Sequence, residues 1–259
     1  MALAQLNFEG KNKVEVTIMR LKEFEPAEGY YLAFSGGKDS IVVYDLALKA
    51  HVTFDAHYNV TGIDPPELVY FIRQHYPGII YEKPLMNIWK LIELKGFPTR
   101  NARFCCEYLK EHSGAGRIVA TGIRWQESWR RKKRRMFESC RWVRAKFFLH
   151  PIIDWTTEEI WEYIKQNNLP YCSLYDDGFD RLGCVLCPMI SVTKTKRDMK
   201  RWPKIAKAWF RAGERHYLNH RGHKKSLLRW TSAEEMFQWW LSRKADAGEV
   251  DNGQHSMFV

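Results

Sequence analysis

Two groups of residues in this 259-residue chain are of types and spacings that can do chemistry. The first is Ser35-Gly36-Gly37-Lys38-Asp39-Ser40. Paired glycines let the backbone approach an anion closely, because glycine reaches positive φ without a steric penalty. If a helix starts at the end of this turn, its free N–H groups and its dipole favour negative charge there. Lys38 adds a point charge, and Ser35 and Ser40 add hydroxyl donors. The Walker loop needs a longer spacing between its glycines and its Lys-Ser/Thr, so this is a different anion site. The second group is Cys105-Cys106 with Cys184-Val185-Leu186-Cys187, two thiol pairs separated by 77 residues. Four thiolates in two tight pairs enclose a tetrahedral metal or a cubane cluster. Adjacent cysteines suit a cluster of several irons better than one structural zinc. Zinc and unliganded buried thiols stay open as alternatives. Cys140 and Cys172 stand alone and read as buried or incidental thiols.

The elements around the glycine turn must hold it in place. Residues 30–34 are short, apolar and aromatic, as a buried strand should be, and 41–49 have the apolar pattern of a helix packed on a sheet. A second strand is expected over 53–59. Pro65-Pro66 then suits a loop leaving a strand end, before a helix over 67–75. A helical crossover carries 89–95, and 117–123 reads as another buried strand. Thr156 or Thr157 caps a following helix, which Asn167-Asn168-Leu169-Pro170 ends. Strands alternating with helices give an α/β fold, a parallel twisted sheet with flanking helices. Ligands on such sheets sit at the carboxyl ends of the strands, where the glycine turn falls. The expected segments are a lead-in over 1–25, a nucleotide-binding α/β domain over 26–165, and a smaller, mainly helical region over 166–259 that carries the second cysteine pair and the basic residues.

Composition narrows the setting. The chain is 45% hydrophobic, enough for a real core, yet no run of 18 apolar residues would make a membrane span. Its first residues lack the basic and apolar regions of a signal peptide, so the cytoplasm is expected. Six cysteines in that compartment point to metal or redox chemistry before disulfides. Net charge is +11, and the excess is local. Between 194 and 229 there are thirteen Lys and Arg against two acids, Asp198 and Glu214. Arg130-Arg131-Lys132-Lys133-Arg134-Arg135 is a second block. Such blocks mark a polyanion partner or a solvated basic face. The interleaving of Trp202, Trp209, Tyr217 and Trp230 favours nucleic acid.

The glycine turn resembles the PP-loop of ATP pyrophosphatases, which split ATP between the α and β phosphates. From residue 28 to 190 the chain is similar to the phosphoadenylyl-sulfate reductase family of that superfamily. Thr121-Gly122-Ile123-Arg124-Trp125-Gln126-Glu127-Ser128 looks like the family's Gly-x-Arg-x-x-Glu-Ser nucleotide segment. Pro151-Ile152-Ile153-Asp154-Trp155-Thr156 matches further, as does Leu174-Tyr175-Asp176-Asp177-Gly178-Phe179 leading to Gly183-Cys184. The resemblance implies an adenine nucleotide α-hydrolase-like fold. It implies nucleotide contacts by Ser35, Gly36, Gly37, Lys38, Asp39, Ser40, Gly122, Arg124, Glu127 and Ser128. Lys38, Asp39 and Arg124 are the catalytic candidates: Lys38 neutralises developing charge, and Asp39 binds Mg2+ or caps the helix. Arg124 meets phosphate or sulfate with its planar fork, or else forms a surface salt bridge. Glu127 orients Arg124, caps a helix or helps to hold Mg2+. ATP and Mg2+ are the expected ligands. Cys105, Cys106, Cys184 and Cys187 resemble the ligands of the [4Fe–4S] cluster in assimilatory adenylyl-sulfate reductases.

One departure bears on function. Sulfonucleotide reductases carry a nucleophilic cysteine in a C-terminal Glu-Cys-Gly-Leu-His-like tail. Here the last residues are Gly253-Gln254-His255-Ser256-Met257-Phe258-Val259, and the last cysteine is Cys187. The resemblance then implies the branch that joins a PP-loop and a [4Fe–4S] cluster to a nucleic-acid substrate, in DNA phosphorothioation or tRNA thiolation. A cysteine desulfurase would supply the sulfur, and a homodimer is allowed for. One alternative is a sulfonucleotide reductase using Cys140, Cys172 or a partner's thiol. Another is a non-catalytic nucleic-acid-binding accessory protein, against which the intact loop stands.

Overall fold

The computed structural model describes residues 10–111, 113–141, 143–222 and 225–243. The segment 253–259, the start of the lead-in and residues 223–224 of the basic block lie outside the described residues. The strands are β1 (Tyr30–Ala33), β2 (Phe54–Asn59), β3 (Ile80–Glu82), β4 (Ile118–Ala120), β5 (Phe137–Ser139) and β6 (Phe147–Leu149). In chain order the helices are α1 (Lys13–Glu23), α2 (Lys38–Ala50), α3 (Pro66–His75), α4 (Ile88–Lys95), α5 (Phe104–Cys106), α6 (Trp129–Lys132), α7 (Thr157–Gln166), α8 (Val192–Arg201), α9 (Pro203–His220) and α10 (Ala233–Leu241).

The chain forms two units that interleave in sequence. The first comprises Met1–Asn59, Pro66–Glu82 and His112–Leu182; the second comprises Val60–Pro65, Lys83–Glu111 and Gly183–Val259. This division differs from the consecutive segments 26–165 and 166–259 expected from sequence. Residues 166–182 group with the first unit, and 83–111 with the second. The second unit's aromatic core accounts for part of the difference, because it is built from Phe97 together with Trp209, Phe237 and Trp240.

All six strands lie in the first unit, in the order β3-β2-β1-β4-β6-β5. Every neighbouring pair is parallel except the β5–β6 edge. β1 is buried, and Ile41, Val42, Val43, Leu46 and Ala47 give α2 a buried face. β1 lies between β2 and β4, where the strand order reverses direction, and the glycine turn leaves its carboxyl end. Open α/β sheets place ligands at such a point. α3 starts on Pro66, whose fixed φ suits a first helical turn. Thr156 caps α7 in a reciprocal box with Glu159. β4 is shorter than the expected 117–123, although Thr121 N–H still donates to Leu149 O at 2.9 Å.

In the second unit Trp240 stacks on Phe97 and Trp209, with ring centroids 4.7 and 4.9 Å away. Its indole N–H donates to Pro98 O at 2.7 Å. Trp202, Trp209, Tyr217 and Trp230 are all buried. Trp209 and Tyr217 form the inner stripe of α9, Trp202 sits at the junction of α8 and α9, and Trp230 lies ahead of α10, so none of them offers a stacking surface for bases. Gly213 on α9 permits this core, because a Cβ there would lie 2.0 Å from the Phe97 ring. Gly213→Ala is expected to lower stability by about 1–3 kcal/mol through overpacking, read as a fall in the thermal unfolding midpoint. Among the described residues no helix is long and apolar enough to cross a membrane.

Candidate functional site

The glycine turn is held from beneath by its own residues. Gly36 has φ +69°, and a Cβ there would lie 2.7 Å from Ile72 and 2.8 Å from Leu68, so only glycine fits. Ser40 is buried and donates to Gly37 O at 2.8 Å. Its Oγ also accepts from Ser35 N at 3.2 Å and lies 3.2 Å from Ser35 Oγ. Ser40 thus braces the turn, while Ser35 is exposed at its rim. Gly37 is the N-cap of α2, and no side chain caps it. Gly37 N–H reaches Ser35 Oγ at 3.4 Å and Lys38 N–H is taken by Tyr175, so the positive dipole end and the later N–H groups of the first turn are what an anion would meet.

Tyr175 completes this wall, and sequence reasoning gave it no role. Its hydroxyl accepts from Lys38 N–H at 2.9 Å, and burial is the main reason its pKa is raised. The ammonium of Lys38 lies 5.6 Å from the Tyr175 ring centroid and 3.3 Å from Asp180 O. The same ammonium is 3.4 Å from Asp39 Oδ2. The sequence signal for Tyr175 is confined to its place in the matched segment 174–179.

Arg124 lies beneath the surface, against one of its two sequence alternatives. It is 2% exposed, so it is not a surface salt bridge. Its Nε donates to Asp39 Oδ1 at 2.7 Å, Nη1 to Trp155 O at 3.1 Å and to Gln126 Oε1 at 3.2 Å, and Nη2 to Thr157 Oγ1 at 3.3 Å. A guanidinium that spends four of its five N–H donors on protein acceptors holds Asp39 in one position. Gly122 allows the approach, since a Cβ there would lie 2.9 Å from the Asp39 backbone carbon. Glu127 accepts from the Arg124 backbone N–H at 3.0 Å and pairs with Arg131. Of its three expected roles, the geometry shows a cap. Ser128 caps α6 by accepting from Arg131 N at 3.3 Å.

The second unit contains all four paired cysteines. Cys105 is buried, and Cys106, Cys184 and Cys187 are half-buried. The turn that carries Cys184 and Cys187 is built deliberately. Leu186 adopts a left-handed φ of 59°, its N–H donates to Asp198 on α8 at 3.1 Å, and Arg243 donates to Cys187 O at 3.1 Å. The hydrogen bond from Cys105 lowers the Cys106 thiol to about 5, helped by Arg103 at 3.5 Å and by Lys110. The same bond drives Cys105 upward, together with burial and the charges of the other three thiols. Burial pushes Cys184 up to about 12 and raises Cys187. Lys110 is raised chiefly by the charge of Cys184. The four thiols therefore lie within electrostatic reach of one another, with cations beside them.

Among the described residues no three His, Cys, Asp or Glu side chains close on one point as a ready-made single-ion site. A tetrahedral zinc would need its sulfurs about 3.8 Å apart, given its bond length. A cubane gives each thiolate its own iron and so reaches sulfurs spread more widely. Four neighbouring thiols with Arg103 and Lys110 beside them are chemically suited to a thiolate-bound metal, either a cluster or a zinc. Of the lone cysteines, Cys172 is buried with its thiol raised, mainly by burial, and Cys140 is half-buried.

Each unit carries a run of exposed cations. In the first, Arg130, Lys132, Lys133 and Arg135 are exposed and form no ion pair among the described residues, whereas Arg131 pairs with Glu127 and Arg134 with Glu138. In the second, Lys196, Lys200, Lys204, Lys207 and Arg211 are likewise exposed and unpaired among the described residues.

Residues 29–190 match the family described as the phosphoadenosine phosphosulfate reductase domain. An uncharacterized protein of Methanocaldococcus jannaschii is 30% identical over 216 residues, a match covering 77% of this chain. This chain spans only 45% of that relative's length. An adenosine 5'-phosphosulfate reductase of Shouchella clausii is 27% identical over 214 residues, covering 76% of this chain and 87% of its own. The crystal structure of phosphoadenylyl-sulfate reductase from Candida auris, a phosphate complex, superposes with a TM-score of 0.52 at 18% identity. It covers 70% of this chain and 96% of its own, and shows that the fold is shared.

Proposed function

The chain belongs to the phosphoadenosine phosphosulfate reductase domain family, and from that premise we propose that it binds ATP at residues 35–40 and adenylates a nucleic-acid oxygen that sulfur then replaces. The observation that carries the reading is the N-terminus of α2 without a side-chain cap, with Lys38 beside it and Asp39 fixed by buried Arg124. An acceptor oxygen attacks the α-phosphorus as the bond to the α–β bridging oxygen breaks, and pyrophosphate leaves with that electron pair. Lys38 and the backbone donors offset the charge that develops on the leaving phosphates. Mg2+ takes one or two carboxylates and completes its shell with phosphate oxygens and water, so Asp39 is its candidate protein ligand. Arg124 holds that carboxylate in one orientation. When bound by Cys105, Cys106, Cys184 and Cys187, a [4Fe–4S] cluster supplies one-electron redox capacity. Nine exposed, unpaired cations support a polyanionic acceptor, DNA or tRNA. A cysteine desulfurase is the fitting class of sulfur donor.

The second reading is adenylyl-sulfate reduction, favoured by the likeness to the Shouchella clausii reductase. It requires a thiol outside the cluster set, and Cys140 is the less enclosed of the two. One experiment separates the readings. Lys38→Ala is expected to weaken ATP binding by about 1.5–3 kcal/mol, the worth of a charge-assisted contact, in calorimetry. Nucleic-acid binding should weaken steeply with salt, and replacing Lys196, Lys200, Lys204, Lys207 and Arg211 by Ala should flatten that slope while ATP binding stays unchanged. A sulfonate adduct on Cys140 after incubation with adenylyl sulfate, with no nucleic-acid binding at low salt, would reverse the ranking.

A further inference from the structure

The first unit exposes aromatic surface where sequence reasoning did not look for it. Trp129 is 71% exposed and Trp125 is 41% exposed. Trp125 follows directly on Arg124 and Trp129 comes five residues after it, beyond the Glu127 that caps back onto the Arg124 backbone. Trp125 is fixed, because its indole N–H donates to Arg134 O at 2.8 Å. Trp129 opens α6, and Lys133 Nζ lies 5.0 Å from its ring centroid. Beside them runs a groove of about 490 Å3 whose lining includes Trp125, Gln126, Trp129, Lys132, Trp155 and Thr156.

Cations outnumber free acids near this groove: Glu158 is an exposed carboxylate bonded to Thr156 and Gln126 of the lining. Asp154 lines it too, but its carboxylate is held by Arg20 at 2.6 and 3.2 Å. Glu127 and Glu138 are paired with Arg131 and Arg134. Arg130, Lys132, Lys133 and Arg135 are left without acids among the described residues. An open indole face amid unpaired cations suits a ligand that is flat, aromatic and repeatedly anionic.

We propose that this groove seats an unpaired base of a single-stranded nucleic acid on Trp129, with the flanking phosphates held by Arg130, Lys132, Lys133 and Arg135. The inference rests on the nucleic-acid reading above and narrows it to strands whose bases are out of a duplex. A base inside a duplex already has both faces covered, so it cannot stack on an exposed ring without leaving the helix. A mononucleotide would use one or two of these cations and leave the others unexplained.

The test uses the full chain and fluorescence anisotropy with labelled single-stranded DNA, single-stranded RNA and a duplex of the same sequence. Single strands should bind more tightly than the duplex. Trp129→Ala should lose about 5- to 100-fold on single strands and little on the duplex, while Trp129→Phe keeps most of the affinity. Trp129 is exposed, so these variants fold; far-ultraviolet circular dichroism checks it. Replacing Arg130, Lys132 and Lys133 by Gln should reduce the salt slope. Unchanged single-strand affinity in Trp129→Ala would overturn the platform and leave the nucleic-acid reading standing. Free ATP that displaces the strand from wild type but not from Trp129→Ala would assign the groove to the nucleotide and overturn it as well. No binding of any strand by wild type at low salt would remove both.

Discussion

Arg124→Met is expected to lose ATP binding and to cost about 3 kcal/mol of stability, the lower end for breaking a buried ion pair. The lower end applies because the side chain of Asp39 is 20% exposed and recovers some hydration, whereas that of Arg124 is 2% exposed. The loss exceeds one salt bridge. Trp155 O, Gln126 Oε1 and Thr157 Oγ1 all lose a donor with the guanidinium. Lysine cannot replace it, since a point charge on a flexible stem does not reach four acceptors in one plane. Arg124→Lys should therefore resemble Arg124→Met in calorimetry with ATP and Mg2+. A cycle with Asp39→Asn tests the positioning role. If Arg124 acts through Asp39, the double variant should lose clearly less ATP affinity than the sum of the singles, by about 1 kcal/mol or more. Strict additivity would mean that Arg124 supports the fold alone.

Sequence patterns carried the local elements well, because those rest on short-range physics. The strand–turn–helix at 30–50 follows from an apolar run, two glycines and an amphipathic stretch. Thr156 with Glu159 announces α7 through its cap. Burial was harder to read. The periodicity that places Trp202, Trp209 and Tyr217 among cations is the same for a binding face and for a core face. Only packing against Phe97, Phe237 and Trp240 tells them apart. Trp129 is the converse case: a tryptophan in a short basic stretch gives no signal of exposure. Arg124 was legible as a site residue but not as a buried one, because its partners Asp39, Trp155 and Thr157 are distant in sequence. Tyr175 reaches the loop across 137 residues. No local pattern reports such a contact.

Protein purified without oxygen is expected to carry about four irons and matching labile sulfide per chain, with brown absorption. Single Ser replacements of Cys105, Cys106, Cys184 or Cys187 should lower the iron content, while Cys140→Ser leaves it unchanged. The argument is one of charge and placement. Four thiols brought together in one unit are costly to ionise without a metal, and burial raises Cys184 and Cys187 further. Arg103 and Lys110 offset part of that charge. The Cys184–Cys187 turn is held on Asp198 and Arg243, with Leu186 buried in a left-handed conformation. Loading should therefore raise the unfolding temperature, because a ligand that binds only the folded chain stabilises it. Stoichiometric zinc with no sulfide would assign the thiols to a single ion instead. Metal-free protein of unchanged stability and undiminished activity would return them to the role of core residues.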